Sequence, residues 1–231
     1  MRILGLSRSK GTVGSPRNPP HRFLTLLLME LVLIGTYPLT VQPGATFDWF
    51  RLLAVFIFVA VLYAALGRGR ITLVAFLFGA PAIAIHLAYI ADHIQILERV
   101  AVALGILFLG TIAGFFIWTI LSEPTVTSDT LAGAVAAYFL IGITFGLGYG
   151  LLEQVSPGSF RDTLRAGRLV HPAEFIFFSF VTLTTVGYGD VIPWSGQARS
   201  LVILESVLGI MYPAVLIGRL IGLHISRRLS S

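Results

Sequence analysis

Cysteine is absent from this chain of 231 residues, and lysine occurs only once, as Lys10. Without thiol groups the chain can form neither a disulfide framework nor a thiolate metal site. Charged side chains make up only 12% of the residues, whereas about 25% is usual in soluble domains. Hydrophobic residues make up 56% of the chain. This composition predicts a protein of the lipid bilayer rather than a soluble domain.

The net charge of +5 is modest, and the basic residues lie mainly at the chain ends and in short loops. This distribution argues against nucleic acid as a partner. Residues 1–22 carry five basic residues, no acidic residue and many prolines, glycines and serines. We expect this segment to be a disordered basic tail in the cytoplasm. It lacks the small-residue cleavage site of a secretory signal peptide.

Six apolar segments are each long enough to cross about 30 Å of hydrocarbon as a helix of about 20 residues. A further apolar piece, residues 172–184, is too short to cross and is predicted to form a re-entrant helix. Irregular backbone at that depth requires surrounding protein or a water-filled cavity. The predicted fold class is an all-α membrane protein with six transmembrane helices and a re-entrant helix between helices 5 and 6. The predicted spans are residues 23–41, 49–67, 71–91, 99–121, 130–152 and 198–225.

Basic residues in the loops predict the orientation of the spans. With six spans, three basic segments fall on the same side of the membrane. They are the N-terminal tail, the second loop and the end of the last span. We therefore expect a multi-pass protein of the cell membrane with both termini in the cytoplasm. The basic residues of the second loop and the last span are Arg68, Arg70, Arg219, Arg227 and Arg228.

Glycines at a spacing of four residues predict close helix packing in the membrane. The fifth span carries Gly142, Gly146 and Gly150, which form a narrow strip along one face of the helix. We interpret this strip as a packing surface for another helix and not as a chemical site.

The run TTVGYGD, residues 184–190, follows the short apolar piece and precedes the last span. Its two glycines alternate with Val186 and Tyr188, so the backbone can adopt positive φ at every second residue. A strand of alternating handedness turns successive carbonyls to the same side. Four such strands around an axis would replace the hydration shell of a cation with rings of oxygen atoms. The simpler alternative is a Gly-rich turn between two helices.

This run resembles the selectivity filter of the potassium channel superfamily. From about residue 129 the chain resembles the pore module of that superfamily: an outer helix, a turret, a pore helix, the filter and an inner helix. The resemblance divides the chain into the tail at 1–22, a four-helix transmembrane domain of unknown role at 23–128, and the pore module at 129–231. The string FSFVTLTTVGYGD is similar to uncharacterised bacterial channel-like proteins, which implies a bacterial inner membrane.

The resemblance implies K⁺ as the permeant ion, with no cofactor. One filter segment per chain implies a homotetramer within the lipid bilayer. Thr184 would support the filter, and Asp190 would raise the cation concentration at the outer mouth. The alternative for Asp190 is a capping residue in the following turn. The residues implied to coordinate K⁺ are Thr185, Val186, Gly187, Tyr188 and Gly189.

On the inner helix, the resemblance places Gly209 at the position of a gating hinge. Pro213 follows one turn later and removes a backbone hydrogen bond, so a bend is expected at 209–213. Ile217, Ile221 and Ile225 share a helix face further on and would form a hydrophobic constriction that closes by dewetting. Ordinary helix packing is the alternative for these isoleucines.

The predicted pore helix departs from the family in one respect. Many family members place a tryptophan or tyrosine there, whose side chain hydrogen bonds the filter tyrosine. The aromatic residues of this helix are Phe175, Phe177, Phe178 and Phe180, and none has a hydrogen-bond donor on its side chain. The Tyr188 hydroxyl must therefore bond to another partner or to water, which leaves open a channel with weaker ion selectivity.

Two carboxyl groups fall within predicted spans, where ionisable residues are costly and often functional. Glu30 lies in the middle of the first span and has no obvious partner in the sequence. Glu205 lies one turn before Gly209 and faces the cavity, the pore helix or a neighbouring subunit. Each is interpreted either as a structural carboxyl or as an ion-handling or pH-sensing group.

The sequence therefore predicts a potassium-selective channel for passive K⁺ conduction and not an enzyme. No nucleophile–base set or phosphate-binding loop is present. Residues 100–121 contain no basic residue, so we do not expect voltage gating. The alternatives are a poorly selective cation channel, a non-conducting sensory or regulatory subunit, and a secondary potassium transporter. The last would carry four pore loops in one chain.

Overall fold

The structure is a computed structural model that describes residues 22–36, 56, 58–59, 61–62, 70–92, 94–123, 126–165 and 170–229. The described part of the chain is mostly helical. Two three-residue strands complete the elements. In chain order, the elements are α1 (Arg22–Gly35), α2 (Arg70–Asp92), α3 (Gln95–Ser122), α4 (Ser128–Val155), β1 (Phe160–Asp162), α5 (Pro172–Leu183), β2 (Val191–Pro193) and α6 (Gly196–Leu229).

Three of the described helices are long and apolar enough to cross a membrane. They are α3, α4 and residues 196–223 of α6, and they match the predicted fourth, fifth and sixth spans. Helix α2 coincides with the predicted third span, and α1 covers most of the first. The second span, 49–67, lies largely outside the described residues. Residues 1–21 of the predicted tail lie entirely outside them. The count of six spans therefore stays a prediction.

Helix α4 lies at the centre of the described structure, packed against α1, α3, α5 and α6. Its first turn is capped by the Thr127 side chain, which accepts a hydrogen bond from the Thr130 amide at 3.1 Å. Such a cap satisfies an amide that has no partner within the helix. The Asp129 carboxylate accepts from the Leu24 amide at 3.2 Å and so joins the first turns of α1 and α4.

The glycine strip of α4 is the surface on which α5 packs. A Cβ on Gly146 would lie 2.9 Å from the Ile176 Cα, so only glycine permits this approach of the two helices. A Cβ on Gly142 would lie 3.1 Å from the Phe180 ring. The interpretation of Gly142 and Gly146 as a packing surface is confirmed.

The two strands form an antiparallel pair in which Phe160 lies opposite Pro193 and Asp162 opposite Val191. The turn before β1 is held by Glu153 in the last turn of α4, whose carboxylate accepts from the Phe160 amide at 3.0 Å. This pair joins the turret to the segment after the TTVGYGD run. The prediction of an all-α fold is confirmed in that the described residues are mostly helical. It did not include this pair of strands.

Helix α6 is poorly covered by its own chain. In its most apolar 18-residue window only 11% of the residues are buried, compared with 50% in α4. Its buried residues in that region are Glu205 and Gly209, which face α5. The exposed apolar residues of α6 include Ile203, Leu204, Val207, Leu208, Ile210, Met211, Val215, Ile217, Ile221 and Ile225.

Candidate ion pathway

Helix α5, the predicted pore helix, begins at a capping box. The His171 amide donates to the Glu174 carboxylate at 2.8 Å, and the Ala173 amide donates to His171 Nδ1 at 3.3 Å. Pro172 occupies the first helical turn, where the missing amide hydrogen costs nothing. These residues fix the start of the helix, and therefore the distance from this point to the TTVGYGD run.

The end of α5 is capped by the chain that follows it. The last four carbonyls of a helix have no partner within it, and here each accepts a hydrogen bond. Three donors are backbone amides of the TTVGYGD run, so the first half of that run is held against the helix end. The bonds are Thr184 N to Phe180 O (3.0 Å), Val186 N to Val181 O (2.9 Å), Thr185 N to Thr182 O (3.0 Å) and Tyr138 Oη to Leu183 O (3.0 Å).

The backbone of the run alternates in handedness, as the sequence predicts. Gly187 and Gly189 have φ angles of 59° and 78°. Thr185 also has a positive φ, 61°. It lies two residues before Gly187, so the alternation extended backwards from Gly187 would have predicted it. Within the described residues no hydrogen bond reaches the carbonyls of residues 185–188. The run therefore uses its amides on the pore helix and leaves a row of four carbonyl oxygens free.

The carbonyl of Gly189 differs from the four before it. It accepts a hydrogen bond from the Thr163 hydroxyl at 2.7 Å, while the Asp190 carbonyl accepts from the Thr163 amide at 2.8 Å. Thr163 directly follows β1, so the strand pair holds the outer end of the run. Sequence reasoning did not identify Thr163, because nothing local to it indicates contact with residues 26 positions away.

Residues 184–189 of the run are exposed in the single chain, although the side chains of Tyr188 and Thr184 contact α5. Tyr188 is 71% exposed, and its ring stacks on Phe177 with centroids 6.1 Å apart. The Phe177 side chain cannot donate a hydrogen bond to Tyr188, but its ring provides a surface on which the Tyr188 ring stacks. The Thr184 hydroxyl donates to the Phe180 carbonyl at 2.6 Å, consistent with a supporting role. The Asp190 carboxylate has no hydrogen bond among the described residues, so the capping alternative lacks support.

Gly209 lies where α6 crosses the end of α5. A Cβ at this position would lie 2.9 Å from the carbonyl carbon of Leu183, closer than real Cβ atoms approach backbone. The structure thus gives Gly209 a packing reason, while its role as a hinge stays a prediction. Helix α6 continues through Pro213 without interruption. One turn beyond Gly209 the Tyr212 hydroxyl donates to the Ala134 carbonyl at 2.7 Å.

The predicted inner constriction also stays a prediction. Ile217, Ile221 and Ile225 are each about half exposed and lie on the same face of α6. No other part of the described chain covers that face. Apolar side chains left uncovered on a helix of this length are available to pack against another subunit or to line a passage.

The two carboxyl groups have different surroundings, although both are buried. Of the three alternatives for Glu205, the structure selects the pore helix: Glu205 is hydrogen bonded to Ser179 of α5 and to Tyr149 of α4. Neither carboxylate oxygen of Glu30 has a hydrogen-bond partner among the described residues. The two glutamates therefore allow a comparison between a buried carboxyl group that has hydrogen-bond partners and one that has none among the described residues.

Residues 157–223 match a protein-family model described as "Ion channel". The match covers the turret, α5, the TTVGYGD run and most of α6. These residues form an ion channel domain. The match lies inside the predicted pore module at 129–231, although the domain boundaries themselves stay predictions.

Individual proteins also resemble part of this chain. The inward rectifier potassium channel Kirbac3.1 of Paramagnetospirillum magnetotacticum is 34% identical over 82 residues, which are 34% of this chain and 24% of that channel. Protein LctB of Bacillus caldotenax is 29% identical over 123 residues, 48% of this chain and 91% of LctB. LctB of Geobacillus stearothermophilus is 29% identical over 114 residues. The chain thus spans about a quarter of the Kirbac3.1 length.

These comparisons confirm the resemblance to the potassium channel superfamily. Together with the apolar helices they make the chain a multi-pass membrane protein with an ion channel domain. An ion channel domain is typical of proteins that move ions across a membrane rather than of enzymes.

Thr163→Val is expected to reduce steady K⁺ flux by about twofold to tenfold, since the loss of one hydrogen bond costs about 0.5–1.5 kcal/mol. Valine keeps the shape of threonine but cannot donate to the Gly189 carbonyl. Flux through purified protein in lipid vesicles measures the effect. Thr144→Val is the matched control, because among the described residues the Thr144 hydroxyl bonds only to Leu140 in its own helix. Equal flux in wild type and Thr163→Val would contradict a role for this bond.

Glu30→Met is expected to raise the free energy of unfolding by about 1–3 kcal/mol, because it removes a buried polar group that has no partner. Methionine has a similar volume and no polar hydrogen. Thermal unfolding in mild detergent measures the change, and K⁺ flux is expected to stay at the wild-type level. Glu205→Met, the same substitution at a carboxyl with two partners, should instead lower the stability. Loss of flux in Glu30→Met would favour the ion-handling interpretation.

Proposed function

We propose that the chain is a potassium-selective channel for passive K⁺ conduction, formed by four copies around one axis. The row of free carbonyls at residues 185–188 is the observation that carries this proposal. Carbonyl oxygens are the groups that replace the hydration shell of K⁺ in a selectivity filter. Each chain supplies one such row, so a closed ring of ligands requires several chains.

Four subunits are also supported by the surfaces that one chain leaves uncovered. The filter residues 184–189 are all exposed, and so is most of the apolar surface of α6. In a lipid bilayer an unpaired backbone carbonyl costs several kcal/mol. A fourfold arrangement covers α6 with its neighbours and turns the free carbonyls toward a shared, hydrated axis. Asp190 from each copy then contributes one negative charge at the mouth.

The proposal is tested by mass measurement and ion flux on the same preparation. Native mass determination in mild detergent is expected to give four copies of the chain. Vesicles containing the protein are expected to release K⁺ down its gradient, and empty vesicles serve as the control. A monomer or dimer that still conducts K⁺ would contradict the fourfold arrangement. A stable tetramer without any flux would contradict conduction.

We further propose six spans, cytoplasmic termini and a bacterial inner membrane as the location. The filter then opens to the outside, and the basic end of α6 lies inside, in agreement with the distribution of arginines. Arg219 of α6 donates to the Glu123 carbonyl at 2.5 Å, which places the end of α3 beside the lower part of α6.

A poorly selective cation channel is the second candidate. The observation that favours it is the Tyr188 side chain, which is stacked on Phe177 but has no hydrogen bond from the pore helix. A filter held by stacking is less constrained in width than one held by hydrogen bonds. The non-conducting subunit and the transporter have no comparable support, because the filter run is complete and occurs once in the chain.

Steep voltage dependence is not expected. Each charge that crosses the membrane field contributes about 2.3 kcal/mol per 100 mV, and voltage sensors move several arginines. The basic residue of α3 is Arg99, and its guanidinium donates to the Gln154 carbonyl at the end of α4 at 3.0 Å. This bond fixes Arg99 to the pore module. Open probability recorded against voltage in symmetric K⁺ should vary weakly, and a steep sigmoidal curve would contradict the prediction.

A further inference from the structure

Glu205 lies where helices α4, α5 and α6 meet, and its hydrogen-bond partners are hydroxyl groups. The Tyr149 hydroxyl donates to Glu205 Oε2 at 2.5 Å. The other carboxyl oxygen, Oε1, is hydrogen bonded to the Ser179 hydroxyl. All three side chains are completely buried. Among the residues that the structure describes, no basic side chain forms an ion pair with Glu205.

The hydrogens of this cluster can be counted. Ser179 Oγ lies 2.6 Å from the Gly142 carbonyl oxygen and is also bonded to Glu205 Oε1. A hydroxyl has one hydrogen to donate, and a carbonyl oxygen can only accept. The Ser179 hydrogen therefore belongs to the bond with Gly142. The bond between Ser179 and Glu205 then needs a hydrogen from the carboxyl group itself.

We propose that Glu205 is a neutral carboxylic acid that donates to Ser179 and holds the pore helix in position behind the filter. This inference rests on the proposed function, because it makes Glu205 a positioning residue for the K⁺ filter. An ionised carboxylate would leave one of the two Ser179 contacts without a hydrogen. It would also place a charge without a cation in a completely buried site, which is costly.

The contact between α5 and α6 repeats one turn further along both helices. Glu205 bonds to Ser179, and four residues later Gly209 lies against the backbone of Leu183. Between these two contacts the Val181 carbonyl accepts from the Val186 amide of the filter. Helix α6 therefore holds the segment of α5 on which the filter rests. Loss of the contact between Glu205 and Ser179 is expected to loosen the filter without removing any of the carbonyl oxygens that would coordinate K⁺.

Infrared difference spectroscopy tests the protonation state without requiring ion flux. The spectrum of wild type minus Glu205→Gln at neutral pH is expected to contain the C=O stretch of a protonated carboxyl group. The corresponding difference for Glu30→Gln identifies the contribution of the other buried carboxyl. A carboxylate band in the Glu205 difference, or no protonated band, would overturn the inference.

Two substitutions at Glu205 test the positioning role. Glu205→Gln keeps a donor for Ser179 and an acceptor for Tyr149, so stability and K⁺ flux are expected to match wild type. Glu205→Met removes both, and the melting temperature is expected to fall by roughly 5–10 °C. Its K⁺ flux, measured below that temperature, is expected to fall about tenfold.

Each outcome bears on one claim. Equal flux and stability in Glu205→Gln and Glu205→Met would overturn the positioning role, as would a Glu205→Gln variant that fails to assemble. Melting temperature and infrared spectra do not depend on conduction. Wild-type protein that shows the protonated band but no K⁺ flux would therefore contradict the proposed channel function and leave the protonation of Glu205 established.

Discussion

Gly187→Ala is expected to abolish K⁺-selective current while leaving the protein folded. Gly187 has a φ of 59°, and alanine in this left-handed region costs about 1–2 kcal/mol per residue. Four subunits carry the substitution in the proposed assembly. The backbone relieves the strain by rotating the peptides around residue 187, which turns their carbonyls out of the row. Current through reconstituted protein measures the loss, and native mass shows whether the assembly remains.

Gly158→Ala is the matched control for Gly187→Ala. Gly158 also has a positive φ, 84°, and like Gly187 has open space where a Cβ would be added. It lies in the turn between α4 and β1, outside the filter run. The two variants therefore carry similar backbone strain at different places. Normal K⁺ selectivity in Gly187→Ala, or equal loss of current in both variants, would contradict the role assigned to the filter backbone.

Gly209→Ala is expected to lower both stability and selectivity. The added methyl would overlap the backbone of Leu183, so α6 and the end of α5 must separate. Overpacking of this kind costs about 1–3 kcal/mol per subunit. Since the TTVGYGD run begins at the end of α5, the separation displaces the start of the carbonyl row. Thermal unfolding in detergent and the K⁺-to-Na⁺ flux ratio in vesicles measure the two effects.

Gly148→Ala is the control for this second substitution, because Gly148 lies in the neighbouring helix α4, and no described residue comes within 4 Å of the added Cβ. Its stability is expected to be unchanged or slightly higher. The hinge interpretation of Gly209 predicts a different pattern from the packing interpretation. A pure hinge would change open probability and leave the melting temperature and the flux ratio unchanged. That result would contradict the packing role proposed for Gly209.

The helices and the backbone of the TTVGYGD run could be predicted because their signals are local. Pro172 and the apolar run after it predict a helix over 172–184, and the observed helix ends at Leu183. The alternation of glycine with Val186 and Tyr188 predicts positive φ at residues 187 and 189. Each of these features depends on residues within one or two turns, where side-chain type and backbone preference act directly.

The contacts that hold the TTVGYGD run in place could not be predicted in the same way. Thr163 bonds to a carbonyl 26 residues away, and Tyr149 bonds to Glu205 across 56 residues. No periodicity in either segment specifies which side chains meet. The strands β1 and β2 contain three residues each, too few for an alternating pattern to be recognised. The position of Glu205 in a predicted apolar span indicated that a polar partner was needed, without indicating which one.

Reversal potential tests the central claim most directly. Purified protein in a planar bilayer is exposed to K⁺ on one side and Na⁺ on the other, at equal concentrations, and the gradient is then reversed. A K⁺-selective filter predicts a reversal potential that changes sign with the side of K⁺. In K⁺ gradients alone it should shift by about 59 mV for each tenfold ratio. A reversal potential near zero under opposed K⁺ and Na⁺ would contradict potassium selectivity and favour a poorly selective cation channel.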